Sequence, residues 1–213
     1  MSIVNIILMS IINFNVNSKY NCYKIEVMLV LLLRNVVSVT IKNNWSAPVM
    51  DNKIFNHSNL VKMLIEYESG CEQRIGHFLK VYGYAKTIGE LERLDPYTQH
   101  ILETAALMHD VGIKTSLSKY GNADGENQEK EGALAARPML ETLGYDGNDI
   151  ERICYLIANH HTYDAINGPD YQILVEADFL VNSGGLPDDA RKENIKYFIT
   201  DTGKHFFNKI YAL

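Results

Sequence analysis

The chain has 213 residues, of which 46% are hydrophobic and 22% charged, a composition that excludes a disordered chain and a collagen-like fibre. Lys and Arg number 20 against 26 Asp and Glu, a net charge of −6. No basic cluster stands out, which argues against a protein built to grip a nucleic-acid polymer.

Residues 1–49 differ from the rest of the chain. They carry a net +3 where the remainder carries −9, and all 14 glycines lie beyond Ser69. Val27–Leu33 is wholly apolar but is followed at once by Arg34 and Asn35. A membrane span needs about 20 apolar residues, so no membrane association is expected. The extreme N-terminus has no basic region of the kind that opens a secretory signal. The Asn- and Ile-rich composition predicts an extension outside the core domain, with Met50 as the natural start and the domain occupying 50–213. Were the extension folded, its β-branched residues Val36, Val37, Val39, Thr40 and Ile41 would form a short strand. Cys22, Cys71 and Cys154 are widely spaced with no CxxC, which predicts neither a disulfide framework nor a cysteine zinc site. A cytoplasmic location fits that usage.

Helical periodicity runs from about Ser58 to the C-terminus. Helices are predicted over 58–69 and 71–91. Asp95-Pro96 reads as an N-cap with proline at the first helical position of a third helix, which stops near Asp110 with Gly112 beyond. The polar, glycine-containing stretch 115–127 is predicted to be a loop. Further helices follow over 128–143, with Pro138 as a potential kink, and over 149–161 and 171–182. Gly184-Gly185 breaks the last of these, Pro187 opens another, and 202–211 forms a final one. The expected fold is a compact all-α bundle.

Several of these helices place polar groups on their apolar stripes. The stripe of the second holds His77, Val81, Tyr84, Ala85 and Ile88; that of the third holds Leu102, Ala105, Ala106 and His109. Leu174, Ala177, Asp178 and Val181 share a face, as do Ile150, Ile153, Cys154, Ile157 and His161, with His160 adjacent. A buried carboxylate without a partner costs several kcal/mol. One divalent cation would neutralise Asp110 and Asp178 and hold His77 and His109 as neutral ligands. The carbonyl end of the third helix favours a cation at the same place. His57, His100 and His205 read as satisfied core or surface residues, and Glu103, two turns before His109-Asp110, as a solvated charge in preference to a partner supporting the metal ligands.

His77, then His109-Asp110 in AALMHDVGIK, then Asp178 in VEADFLVN resemble the H…HD…D signature of the HD-domain superfamily of metal-dependent phosphohydrolases. The similarity runs from about Ile65 to the C-terminus, and the histidine pair in IANHHTYD adds to it. The resemblance implies an all-α fold, a divalent metal ion (Mn, Fe, Co, Ni, Zn or Mg) held by His77, His109, Asp110 and Asp178, and hydrolysis of a phosphate ester. The expected substrate is a small phosphorylated molecule such as a nucleotide; a homo-oligomer is left open. Asp110 is expected to orient the attacking water, Lys114 to neutralise phosphate charge, and Arg74 to clamp a phosphate. Tyr163 and Asp164 are candidate pocket residues.

Two departures stand out. Two-metal members of the family place another histidine between the HD pair and the later histidines; here 111–159 contains none, and Gln128, Glu129 and Glu131 occupy that helix. Glu129 or Glu131 is then the candidate to join His160 and His161 around a second metal, or the histidines contact substrate. The lysine that often follows the HD pair is displaced by one residue, as Lys114. Two other classes compete with the phosphohydrolase: a di-iron oxygenase, which needs the full two-metal set, and a non-catalytic metal or nucleotide sensor.

Overall fold

The computed structural model describes residues 57–212, and among these every regular element is helical. The expectations for the extension 1–49, its strand and a start at Met50 lie outside the described residues. The helices are α1 (Ser58–Tyr67), α2 (Glu72–Leu91), α3 (Pro96–Met108), α4 (Ile113–Tyr120), α5 (Gly125–Thr142), α6 (Gly147–Ile157), α7 (Pro169–Asn182), α8 (Asp188–Glu193) and α9 (Asp201–Tyr211). Short 3₁₀ turns at Ser183–Gly185 and Asn194–Tyr197 flank α8. No helix among the described residues is long and apolar enough to cross a membrane.

The axis of the bundle is α3. Asp95 caps it, its carboxylate accepting from the backbone N–H groups of Tyr97 and Thr98, and Pro96 supplies the first helical position. From His100 onward every residue of α3 is buried, because α2, α6 and α7 all pack against it. A helix enclosed on all sides must be apolar all round or have its polar groups satisfied locally. Both occur. Thr104 donates to the His100 carbonyl, and Glu103 accepts from Lys86 at 3.0 Å and Gln99 at 2.8 Å, with His57 3.4 Å away. Glu103 is therefore not the solvated charge expected. Packing of α2 against α3, with His57 from the turn before α1, encloses it, and these partners replace the water it loses. His57 and His100 are buried as expected, their rings stacked 5.1 Å apart.

On α7, the Glu176 side chain is fully buried and accepts from the backbone N–H groups of Ile199 and Thr200, tying down the approach to α9. Gly203 packs against it so closely that a Cβ would stand 2.0 Å from Glu176 Oε2.

The predicted loop 115–127 is largely helical. Helix α4 runs through Tyr120 and ends at Gly121, whose φ of +75° suits glycine, and α5 already begins at Gly125. Composition misled because α4 is short and its stability comes from outside itself. Tyr67 approaches Thr115 at 3.3 Å, and Lys119 and Tyr120 both donate to Glu131 of α5. Pro138 is accommodated within α5 and faces solvent. The fifth predicted helix overran: α6 ends at Ile157, so His160 and His161 lie in the turn beyond it rather than on its stripe.

Candidate metal centre

Two turns carry the chemistry. His109-Asp110 follows α3 and His160-His161 follows α6, and the two histidines that enter the core are held in the same way. His109 Nδ1 lies 2.9 Å from the Ala106 carbonyl, and His160 Nδ1 lies 2.8 Å from the Ile157 carbonyl, each three residues back. A carbonyl oxygen only accepts, so Nδ1 carries a hydrogen in both rings, and in the neutral ring Nε2 presents its lone pair inward. This is the arrangement of metal-ligating histidines, whose far nitrogen is fixed by a second hydrogen bond.

His109 Nε2 faces three other donor atoms. His77 Nε2, from α2, is 3.0 Å away; Asp178 Oδ1, from α7, is 3.4 Å away; Asp110 Oδ2 is 3.4 Å away. His77 Nε2 is in turn 3.1 Å from Asp178 Oδ1 and 3.3 Å from Asp110 Oδ2. Asn182, one turn beyond Asp178, donates to its Oδ2 at 2.9 Å and so directs Oδ1 at the cluster, where that buried atom has no hydrogen-bond partner. Lone pairs and negative charge converging at 3.0–3.4 Å call for a cation. His77, His109 and Asp178 have ligand atoms close enough to share a divalent ion, and Asp110 Oδ2 stands beside both imidazoles as a further carboxylate donor.

The electrostatics agree. Burial opposes charge on His109, yet the Asp110 and Asp178 carboxylates outweigh it and hold its pKa well above the ordinary imidazole value. Burial likewise opposes charge on both carboxylates, but His109, with His160 beside Asp110 and His77 beside Asp178, holds them well below the usual range. Without metal, a proton on the cluster supplies the positive charge it demands.

The other face of Asp110 looks across to the second turn. Asp110 Oδ1 accepts from Gln128 Nε2, and His160 Nε2 lies 3.7 Å away. Gln128 Nε2 is also 3.3 Å from His160 Nε2. Glu129, His160 and His161 have ligand atoms close enough to share an ion, and Glu129 Oε1 accepts from the His161 backbone N–H at 2.8 Å. Burial, then His160, lowers the His161 pKa to about 4, so its ring is neutral at physiological pH.

The remaining sequence candidates fall elsewhere. Glu131 is held by Lys119 and Tyr120 and joins neither ligand group, because formation of α4 brings those two donors over it. The Lys114 ammonium bonds the Tyr67 carbonyl and lies 4.7 Å from the Tyr67 ring, pinning α1 to α4. Arg74 pairs with buried Glu68 at 2.6 Å, and both line a small pocket that Asp110, Leu64, Phe78, Leu107 and Val111 complete. Burial, then the charge of Asp178, pushes the Tyr163 phenol up to about 12, and its ring packs on Phe179 and Tyr197. Gln128 and Asn182 were missed as contributors to the site. For Asn182 the signal was present: it stands four residues after Asp178, on the same helical face.

An all-helical bundle with His and Asp ligands converging from α2, α7 and the turn after α3 defines the class. The family model of the HD domain matches residues 74–192, and the chain belongs to that family. A crystal structure of a predicted HD superfamily hydrolase from an uncultured Thermotogales bacterium is similar in fold, with a TM-score of 0.54 and 20% identity. That alignment covers 73% of this chain and 86% of the other. No curated protein matches the sequence. Family and geometry together are those of an HD domain with a His/Asp group that could hold a divalent metal ion.

Proposed function

We propose that this protein is a metal-dependent phosphohydrolase that cleaves a phosphate ester of a small molecule, a nucleotide being the leading candidate. The observation that carries the reading is that His77 Nε2 and His109 Nε2 lie 3.0 Å apart and each stands within 3.4 Å of a carboxylate oxygen of Asp110 and of Asp178, with Asp178 Oδ1 buried and lacking a hydrogen bond. When bound, a divalent ion supplies Lewis acidity toward a phosphoryl oxygen and lowers the pKa of a bound water.

The protein's own part is positioning. The main-chain carbonyl of Ala106 fixes the His109 ring, and Asn182 fixes Asp178. Asp110 is the most versatile of the four, one oxygen on the ligand cluster and the other toward the second turn. Its carboxylate is the group placed to orient a water and accept its proton. Neutral His161 lies beside this face and is suited to contact the substrate. Arg74 lines the same small pocket as Asp110 but turns Nε and Nη2 to Glu68, which leaves Nη1 as the part of its guanidinium that a phosphate could meet.

The test is elemental analysis of the purified protein, then a hydrolysis screen with that metal over nucleoside phosphates and sugar phosphates. Metal-dependent release of inorganic phosphate, lost in Asp110→Asn, is the expected result. Metal-free protein, or loaded protein that turns over no phosphate ester, would overturn the reading.

A further inference from the structure

The Gln128 amide nitrogen contacts two neighbouring acceptors, Asp110 Oδ1 and His160 Nε2, which lie 3.7 Å from each other. It donates to Asp110 Oδ1, and its second hydrogen is available to the lone pair of His160 Nε2 3.3 Å away. All three groups are largely enclosed: Gln128 is 5% exposed, His160 2%, and the Asp110 side chain 19%. The reverse amide orientation would set the Gln128 oxygen against a carboxylate oxygen and a ring lone pair, so the NH₂ group must face inward. Two N–H dipoles aimed at a carboxylate oxygen and an imidazole lone pair do for those atoms what a cation would do.

We propose that the Gln128 carboxamide takes the place of a second cation, and that this residue sets the centre at one ion per chain. The proposal rests on the metal-dependent reading above.

Charge supports it. One divalent ion against Asp110 and Asp178, with neutral His77 and His109, gives a balanced cluster. A second divalent ion would leave an excess that Glu129 alone only half offsets, in a buried site where unbalanced charge is costly. Glu129, His160 and His161 could still gather around an ion. His160 Nδ1 is committed to the Ile157 carbonyl, so His160 would have to offer Nε2, the atom that Gln128 already holds. Displacing the amide from both Asp110 and His160 is the barrier to a second ion. A carboxylate at position 128 would convert the same geometry from donor to acceptor and supply the missing charge.

The experiment is Mn²⁺ titration by equilibrium dialysis, with electron paramagnetic resonance of the loaded protein, on wild type, Gln128→Glu and Gln128→Ala. Wild type should bind one equivalent and show an isolated Mn²⁺ signal. Gln128→Glu should bind two and show the spin-coupled signal of a close pair. Gln128→Ala, which frees Asp110 Oδ1 and His160 Nε2 without adding charge, should admit the second ion more weakly. A wild type that binds two ions, or variants that both stay at one, would overturn the proposal. A wild type that binds none overturns the metal-dependent reading itself, and this proposal with it.

Discussion

Gly112 and Gly132 bring the turn carrying His109-Asp110 into direct backbone contact with α5: a Cβ on Gly112 would stand 2.4 Å from the Gly132 nitrogen and 2.2 Å from the Gln128 carbonyl oxygen. Backbone atoms cannot move aside as a flexible side chain can. Gly112 is needed for space and not for its φ, which is −73°. Gly112→Ala is expected to push α5 away from the turn and cost on the order of 3 kcal/mol. The separation should also pull Gln128 off Asp110. Urea unfolding reads the first effect. An alanine variant as stable as wild type would show that the two backbones are not locked together.

Asp110→Asn should abolish phosphate-ester hydrolysis, with a loss on the order of a thousandfold or more. The substitution keeps size but removes a ligand charge and the proton acceptor. The bundle should survive, since its apolar core does not depend on this carboxylate. Circular dichroism and thermal unfolding check the fold, and a phosphate-release assay checks the chemistry. Near-normal turnover at full metal occupancy would sink the role given to Asp110.

Metal affinity should fall as pH falls. His109 in the metal-free protein has a pKa raised well above the ordinary imidazole value, so it holds a proton that an entering ion must displace. Below that raised value, affinity should drop by about tenfold per pH unit for one displaced proton. The same proton stabilises the metal-free fold below the unfolded pKa, and that contribution is lost as pH rises through the folded one. Calorimetric Mn²⁺ titrations in buffers of different ionisation enthalpy would detect the released proton. A pH-independent affinity would contradict this account.

Glu103 predicts an acid-sensitive step that does not involve the ligand cluster. Burial opposes its charge, but His57, Gln99 and Lys86 prevail and lower its pKa to about 2. A depressed carboxylate contributes stability above its unfolded pKa of about 4.5 that is lost as pH falls toward 2. Glu103→Gln should be less stable than wild type at pH 6 by on the order of 3 kcal/mol. The gap should close through the window below pH 4.5. Unfolding curves at pH 6 and pH 3 would show whether it does.

Arg74→Ala leaves Glu68 buried, its Oε1 already without a hydrogen bond, and should destabilise by on the order of 3 kcal/mol. Adding Glu68→Gln should recover part of that loss, a coupling that a double-mutant cycle measures. If Arg74 also meets the phosphate, the double variant regains stability but keeps a raised KM.

What the sequence made legible was whatever is encoded within one element. The Asp95-Pro96 cap, the stripe carrying His77 and the long helices on either side of 113–120 are local patterns, and the structure has them. Neighbour relations between elements were not legible. Taking 115–127 as a loop left Lys119 and Tyr120 without a place, so nothing predicted that they would hold Glu131 away from the ligand groups. Gln128 was passed over for a related reason. An amide carries no charge and no metal preference, and its importance comes only from the two acceptors on either side of it. The overrun of α6 had a smaller consequence, since His160 still enters the core from the turn.

The acceptors that orient His109 and His160 are main-chain carbonyls, of Ala106 and Ile157. Every residue offers the same carbonyl, so a substitution at either position that keeps the helix leaves the tautomer of both rings as it is. The groups that adjust the site, Gln128, Glu129, Asn182 and Arg74, are all side chains, open to replacement one at a time. Such a centre can drift in nuclearity and substrate preference over evolutionary time while its imidazoles stay aimed at the same point.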